Sequence, residues 1–145
     1  MASRHRSRER ALQMIYQWDL NREPAGEARE AYWKTLAAET SEKTPRDDAF
    51  AEQLFERATS RVDRIDDLIR ESATNWRLER MAAVDRNILR MAVSELLDET
   101  EAPAVIINEA MEVGRRFSTD ESGAFLNGVL DAIRKSLEAA AAKTP

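Results

Sequence analysis

Basic side chains are concentrated in the first ten residues of the 145-residue chain. This segment carries one acid, Glu9, against one histidine and four arginines: His5, Arg4, Arg6, Arg8 and Arg10. Its net charge is +3, whereas the whole chain carries −5, so the other 135 residues sum to −8. Arginine suits phosphate groups because its planar guanidinium donates two parallel hydrogen bonds. The segment predicts an arm that meets a polyanion, and the alternative is a solvated terminus.

The rest of the residue inventory offers little catalytic chemistry. The chain has no cysteine, which excludes disulfides and thiolate metal sites, and its single histidine is His5. A catalytic triad needs a positioned imidazole, which a chain terminus supplies poorly. Glycine-rich phosphate loops and paired-histidine zinc motifs do not occur. Adjacent acids such as Asp66 and Asp67 point about 100° apart on a helix. The sequence therefore predicts that the protein is not an enzyme.

The elements that position the basic segment are predicted to be helical throughout. Alanine, leucine, glutamate and arginine are abundant, and only four glycines and four prolines interrupt the chain. Apolar spacing predicts helices at residues 4–20, 27–39, 50–69, 84–96 and 103–117, and a last helix capped by Ser118 or Thr119. Residues 50–69 read as one long helix, straight or bent, and residues 75–80 as a polar connector anchored by Trp76. Gly128 within the last helix predicts a close helix contact.

Length and hydropathy limit the environment of the protein. A chain of 145 residues predicts one domain, spanning residues 1–145. No apolar run approaches the roughly 20 residues needed to cross a bilayer. The basic first residues are not followed by the apolar segment of a signal peptide. We therefore expect a cytoplasmic protein with no membrane partner.

Three stretches of the chain form a recognisable set. The first is residues 4–18, RHRSRERALQMIYQW, and the second is residues 76–96, WRLERMAAVDRNILRMAVSEL. The third joins residues 107–110, INEA, to residues 125–131, FLNGVLD. Together they resemble the NusB family of bacterial transcription antitermination factors, and their order and spacing fit that family from end to end.

The resemblance implies a fold and a function. The fold is an all-α bundle of about seven helices in two packed subdomains, at about residues 4–72 and 76–140. The implied function is antitermination through the boxA element of nascent ribosomal RNA, together with the small-subunit ribosomal protein NusE. That pair acts on elongating RNA polymerase. The family has no catalytic step and no cofactor, and the resemblance leaves both a monomer and a homodimer open.

The resemblance also gives the basic segment an RNA ligand. If helical, Arg4 with Arg8 and Arg6 with Arg10 present guanidinium pairs along one face. These pairs, with His5, would grip single-stranded RNA, whose unstacked bases are accessible. The expected surface continues near the turn before the last helix with four further residues: Arg115, Arg116, Glu121 and Phe125. Phe125 either stacks on a base or packs in the core, and Glu121 is an acid that limits affinity.

Three other residues match positions where the family meets its ribosomal-protein partner. They are Tyr16, Glu79 and Asp85, of which the two acids would complement a basic partner. Core packing is the alternative for Tyr16, since it follows Leu12 by four residues. An alternative for the whole chain is a helical protein–protein adaptor whose basic arm binds RNA only nonspecifically. A fragment of an RNA-modifying enzyme is excluded unless the chain continues beyond Pro145.

Overall fold

The computed structural model describes residues 3–22, 24–39 and 48–143 and confirms the all-α fold. Over these residues the chain forms seven α-helices and no strand. The helices are α1 (Arg4–Asn21), α2 (Ala25–Glu39), α3 (Ala49–Ser60), α4 (Val62–Ser72), α5 (Ala83–Asp98), α6 (Pro103–Phe117) and α7 (Asp120–Ala142). None of the helices in these ranges is long and apolar enough to cross a membrane.

Helix α5 lies at the centre of the molecule. Residues 87–96 are all buried, and α5 packs against α1, α3, α4, α6 and α7. The buried apolar side chains form one cluster to which all seven helices contribute. This cluster crosses the expected boundary between residues 4–72 and 76–140, and the two-subdomain division stays a prediction.

Ion pairs also hold α5 inside the bundle. Arg90, which is 2% exposed, donates to both carboxylate oxygens of Asp66 on α4 at 2.8 and 2.9 Å. The same guanidinium donates to Asp19 on α1 at 2.8 Å, and Asp19 accepts further hydrogen bonds from Arg86 at 2.6 and 3.0 Å. Because buried charges are tolerated only when paired, this network specifies how α1, α4 and α5 pack together.

The stripe predicted to be one long helix, straight or bent, over residues 50–69 is divided into two helices. The backbone leaves the helical region at Arg61, where φ is −129° and ψ is 34°, so α3 and α4 are separate helices. The Arg61 guanidinium donates to the backbone oxygen of Ser94 at 2.9 Å and to Asp98 at 2.7 Å. These bonds to α5 hold the break in place.

The connector before α5 is anchored differently from the prediction. Trp76 is 62% exposed and does not anchor it. Leu78, in a single turn of 3₁₀ helix (Leu78–Arg80), and Met81 are buried instead. The aliphatic residues thus fill the core, and the tryptophan remains at the surface.

Gly128 does not make the close helix contact that was predicted. It lies on an exposed face of α7, and a Cβ built there would meet no atom within 4 Å. At the start of the same helix, the cap is Thr119 rather than Ser118. The Thr119 side chain accepts a hydrogen bond from the backbone N–H of Ser122 at 3.2 Å.

Candidate nucleic-acid interface

The predicted basic arm forms the first two turns of α1. Ser3 caps this helix by accepting a hydrogen bond from the Arg6 backbone N–H at 3.1 Å. Arg4, His5 and Arg6 keep 60%, 47% and 33% of their side chains exposed. The structure therefore places these three expected RNA-binding residues at the surface, on a rigid element.

Arg8 is placed elsewhere, and the expected exposed pair with Arg4 does not form. Its side chain is 2% exposed and donates to both carboxylate oxygens of Glu95 at 2.9 Å and to Glu101 at 3.0 Å. Burial opposes the charged form, but the contacts with Glu95 outweigh it and raise the pKa of Arg8. With its hydrogen-bonding groups turned inward, Arg8 links α1 to α5 and has no surface to offer RNA.

Arg10 is also largely withdrawn from solvent. Its side chain is 12% exposed and donates to Asp48 at 2.7 Å. Asp48 in addition accepts hydrogen bonds from the Ser7 hydroxyl at 2.7 Å and from the Ala51 backbone N–H at 3.0 Å, which caps α3. Arg10 therefore secures α3 against α1, and the expected pair of Arg6 and Arg10 is not presented along one face.

The carboxylate of Glu9 joins the exposed cations of α1 to the end of α6. It accepts hydrogen bonds from Arg116 at 2.7 Å and Arg6 at 3.3 Å, and one oxygen lies 3.9 Å from Nε2 of His5. Burial of this carboxylate would raise its pKa, but the hydrogen bonds from Arg116 and Arg6 outweigh burial and lower the pKa. Glu9 thus favours its charged form and holds Arg6 and Arg116 close together.

Five basic side chains that reach solvent thereby share one region, which we call the basic patch: Arg4, His5, Arg6, Arg115 and Arg116. Arg115 and Arg116, in the last turn of α6, are 73% and 59% exposed. Each basic side chain of the patch faces an acid; Arg4 pairs with Glu101 at 2.8 Å, for example. In each pair the basic side chain is more exposed than the acid, so a phosphate can approach the guanidinium groups from solvent and compete with these acids.

Glu121 and Phe125 lie in a groove between α7 and the connector. This aromatic groove has a volume of about 330 Å³, and its lining includes Trp76, Arg80, Thr119, Glu121 and Phe125. Phe125 is half-buried and meets Trp76 in an edge-to-face contact, with ring centroids 5.4 Å apart. Phe125 packs against the core, as one alternative predicts, and also lines the open groove, while its stacking on a base stays a prediction.

Asp85 is not free to meet a partner as predicted. It is 7% exposed and accepts hydrogen bonds from the hydroxyls of Ser118 at 2.6 Å and Ser122 at 2.8 Å. These bonds fasten the turn between α6 and α7 to the start of α5. Asp85 thus positions the aromatic groove, and its charge is largely hidden from a partner.

Tyr16 and Glu79 are accessible. Tyr16 is 36% exposed, one turn before Leu20 at 59%, so the core-packing alternative for Tyr16 is wrong. Tyr16 is exposed although it follows the buried Leu12 by one helical turn. Glu79 accepts a hydrogen bond from Arg70 at 3.0 Å. A hydrogen bond from its own backbone N–H and the one from Arg70 lower the pKa of Glu79.

Comparison with known proteins decides the family. The family model described as NusB family matches residues 5–135. The chain belongs to the NusB family. A transcription antitermination protein NusB from Solibacter usitatus (strain Ellin6076) is 44% identical over 137 residues, which cover 94% of this chain and 92% of the relative. Since this is a family of antitermination factors, the prediction that the chain is not an enzyme is confirmed.

Solved structures show the same fold. NusB from T. maritima superposes with a TM-score of 0.76 at 34% identity, covering 92% of each chain. A chain in a crystal structure of the antitermination factors NusB and NusE in complex with double-stranded RNA superposes with a TM-score of 0.78 at 28% identity. That match covers 93% of this chain and 99% of the other.

Two residues of this NusB-family surface were missed in the sequence. Glu9 was counted only as an acid within the basic run, although an acid one turn after His5 signals a helical ion pair. Trp76 was predicted only to anchor the polar connector, and its exposure was not foreseen. The proximity of Glu9 to Arg116 had no local signal, since the two are 107 positions apart.

Proposed function

We propose that this NusB-family chain is a cytoplasmic transcription antitermination factor. It binds boxA RNA of nascent ribosomal transcripts together with NusE and acts on elongating RNA polymerase. The observation that carries the RNA-binding proposal is the contact of Glu9 with Arg116, which unites cations from two distant segments in one basic patch. The family relationship supports the antitermination role.

The physical argument for RNA rests on the local nature of the positive charge. The chain as a whole has a formal net charge of −5, so a polyanion is attracted only where guanidinium groups reach solvent more fully than the acids paired with them. The basic patch is such a place, and its guanidinium groups suit phosphate oxygens. Because each neutralised phosphate releases counterions, binding should weaken steeply with added salt.

Single-stranded RNA fits the surface better than a duplex. The aromatic groove, with Phe125 in its lining, offers a ring to an unstacked base, and a base in a duplex is not available for such a contact. The groove shares Thr119 with a second groove of about 320 Å³ that is lined by Arg115. The groove lined by Arg115 of the basic patch therefore borders the aromatic groove that contains Phe125.

A separate part of α1 fits the protein partner. Tyr16 and Leu20 expose apolar surface on successive turns, and Glu79 adds an accessible carboxylate for a basic partner. We propose that NusE covers this surface. A homodimer formed through the same residues would compete with NusE, and sedimentation of the chain with and without the partner distinguishes the two.

One observation favours the alternative of an adaptor that binds RNA nonspecifically. Every cation of the basic patch already has an acidic neighbour, with Glu9, Glu101, Glu109 and Glu112 in these roles. Competition with these acids weakens any phosphate contact. Sequence preference therefore has to come from bases, and its presence or absence separates the two functions.

The deciding experiment is fluorescence anisotropy of labelled RNA across a salt series. A boxA-type single strand, a scrambled single strand and a duplex are each titrated with the chain, with and without NusE. Preference for the boxA strand that increases when NusE is added supports the proposed function. Equal, weak and wholly salt-sensitive binding to all three RNAs contradicts it and leaves the adaptor function.

A further inference from the structure

Trp76 is the most exposed aromatic side chain in the part of the chain that the structure describes. It is 62% exposed, whereas Trp18 and Trp33 are 9% and 4% exposed. Its backbone is ordered, since the Trp76 N–H donates to the carbonyl oxygen of Ala73 at 3.0 Å. A large ring is thus held at the surface by a short, hydrogen-bonded connector.

The surroundings of this ring resemble a binding site more than a solitary surface residue. Trp76 and Phe125 meet at an interplanar angle of 64°, and this edge-to-face arrangement leaves at least one face of each ring outside the contact. Both rings line the aromatic groove. Its floor is held in place by Asp85, through Ser118 and Ser122. The position of Phe125 opposite Trp76 is therefore fixed before any ligand arrives.

The charged groups of the groove suit a nucleotide. Arg80 lines the groove and forms no ion pair with any residue in the described ranges, so its guanidinium is available to a phosphate. Glu121 lies across the groove with an exposed carboxylate, which can accept a hydrogen bond from an exocyclic amino group of a base. An aromatic ring beside a cation is the arrangement that binds single-stranded nucleic acid by stacking.

A protein segment is a weaker candidate for the groove. Glu79, the accessible acid expected to meet NusE, pairs with Arg70 and lines a different groove with Asp19 and Arg86. The aromatic groove instead borders, at Thr119, the groove lined by Arg115. The connector thus presents Glu79 toward α4 and Trp76 toward α7.

We propose that Trp76 stacks on one unpaired base of the bound RNA and, with Phe125, forms a two-ring base-binding site in the aromatic groove. Arg80 contacts an adjacent phosphate of the same strand. This inference rests on the proposed RNA-binding function and adds a specific site to it. It assigns to the connector a direct role in RNA binding that is separate from the basic patch.

The test compares Trp76→Ala and Trp76→Phe with the unchanged chain on a boxA-type single strand. Loss of a stacked base predicts that Trp76→Ala weakens RNA binding about 5- to 100-fold and that Trp76→Phe weakens it less. Val105→Ala is the matched control, because Val105 is 45% exposed and lies at the opposite end of α6 from Arg115 and Arg116. RNAs with single abasic positions are then used. At the position of the stacked base, removing the base should abolish the difference between Trp76→Ala and the unchanged chain.

A second readout does not depend on affinity. The emission of Trp76, taken as the difference between the unchanged chain and Trp76→Phe, should be quenched when the RNA binds. If the unchanged chain binds RNA while Trp76→Ala binds equally well and Trp76 is not quenched, the inference is overturned and the proposed function stands. If Trp76→Ala weakens binding of NusE and not of RNA, the groove belongs to the protein and the inference is again overturned. If the unchanged chain binds no RNA, both fail.

Discussion

Glu9 and Arg116 are 107 positions apart in the chain, and their side chains meet at 2.7 Å. Glu9 is 4% exposed, whereas Arg116 is 59% exposed, so a buried carboxylate holds an exposed cation. The same carboxylate accepts a hydrogen bond from Arg6. Glu9 therefore brings a cation from the beginning of α1 and a cation from the end of α6 together.

Because they share Glu9, Arg6 and Arg116 should act on RNA binding as a coupled pair. We expect Arg6→Ala and Arg116→Ala each to weaken binding, with a coupling free energy of at least about 0.5 kcal/mol in the double variant. Arg4 pairs with Glu101 instead, so Arg4→Ala and Arg116→Ala should be additive. Anisotropy titrations of the single and double variants measure both cycles. If the free energies of RNA binding are additive in both cycles, Glu9 does not couple Arg6 to Arg116 and the prediction is contradicted.

Arg8 should stabilise the fold and should not contact RNA. Arg8→Ala leaves Glu95 buried without its main partner, and we expect a loss of about 3–5 kcal/mol in the free energy of unfolding. Arg8→Lys should also destabilise the fold because an ammonium group cannot donate the paired hydrogen bonds. Urea unfolding measures both, with the exposed Arg4→Ala as the near-neutral control. RNA affinity of the folded Arg8→Lys variant should stay near that of the unchanged chain; a large loss without destabilisation would show a direct contact.

The carboxylate of Asp19 makes the free energy of unfolding depend on pH. Burial alone would raise its pKa, but hydrogen bonds from Arg90 and Arg86 outweigh burial and hold the pKa below its ordinary 3.8. The folded state thus binds this proton less readily than the unfolded state, so the stabilisation is complete above pH 3.8 and is lost as pH falls through the lower folded value.

The corresponding measurement is the free energy of unfolding against pH for Asp19→Asn. At neutral pH this variant should lose about 3 kcal/mol, because two buried guanidinium groups lose a charged partner. The difference in free energy of unfolding between Asp19→Asn and the unchanged chain should decrease as the pH falls into the acid range. Asp67→Asn, at a 71% exposed position, is the control and should leave the profile nearly unchanged. If the free energies of unfolding of Asp19→Asn and the unchanged chain differ by the same amount at every pH, the prediction is contradicted.

Gly128 should be a site at which stability can be gained. A Cβ there meets nothing within 4 Å, and φ is not positive, so alanine fits the helix without strain. Gly128→Ala should therefore raise the free energy of unfolding by about 0.5–1 kcal/mol through helix propensity. Gly114→Ala is the contrasting variant, because its Cβ would make ordinary van der Waals contacts with Ile88 at 3.6 Å and Leu126 at 3.7 Å and would add packing to the helix propensity. Thermal unfolding compares the two, and a destabilised Gly128→Ala would reveal a contact absent from this structure.

The helices were largely predictable because their signals are local. The 3.6-residue period and the proline at the start of α6 depend on neighbours in the sequence, and α1, α5 and α6 begin and end close to the predicted residues. No glycine or proline marks the break at Arg61 in the sequence. It depends on hydrogen bonds to Ser94 and Asp98, more than thirty positions away. A pattern of apolar residues cannot report such a tertiary contact.

The candidate site was predictable in its chemistry and less so in its geometry. The basic run indicated a phosphate-binding surface, but exposure of each arginine depends on distant acids. Arg8 is buried by Glu95, and Arg10 is drawn to Asp48, while Arg4 and Arg6 remain exposed. All four arginines look alike in the sequence. Which of them reaches solvent is decided by the helix that packs against each one.

The most direct test of the basic patch is a comparison of two variants that remove the same charge. In the patch variant, four arginines are replaced by alanine: Arg4, Arg6, Arg115 and Arg116. In the control variant the replaced residues lie elsewhere: Arg29, Arg64, Arg70 and Arg134. Affinity for the boxA-type single strand is measured across a salt series. The patch variant should lose most of its affinity, and its slope of log affinity against log salt should fall by up to about three units, while the control stays close to the unchanged chain. Equal losses in both variants would show that only the overall charge matters and would contradict a defined RNA-binding surface.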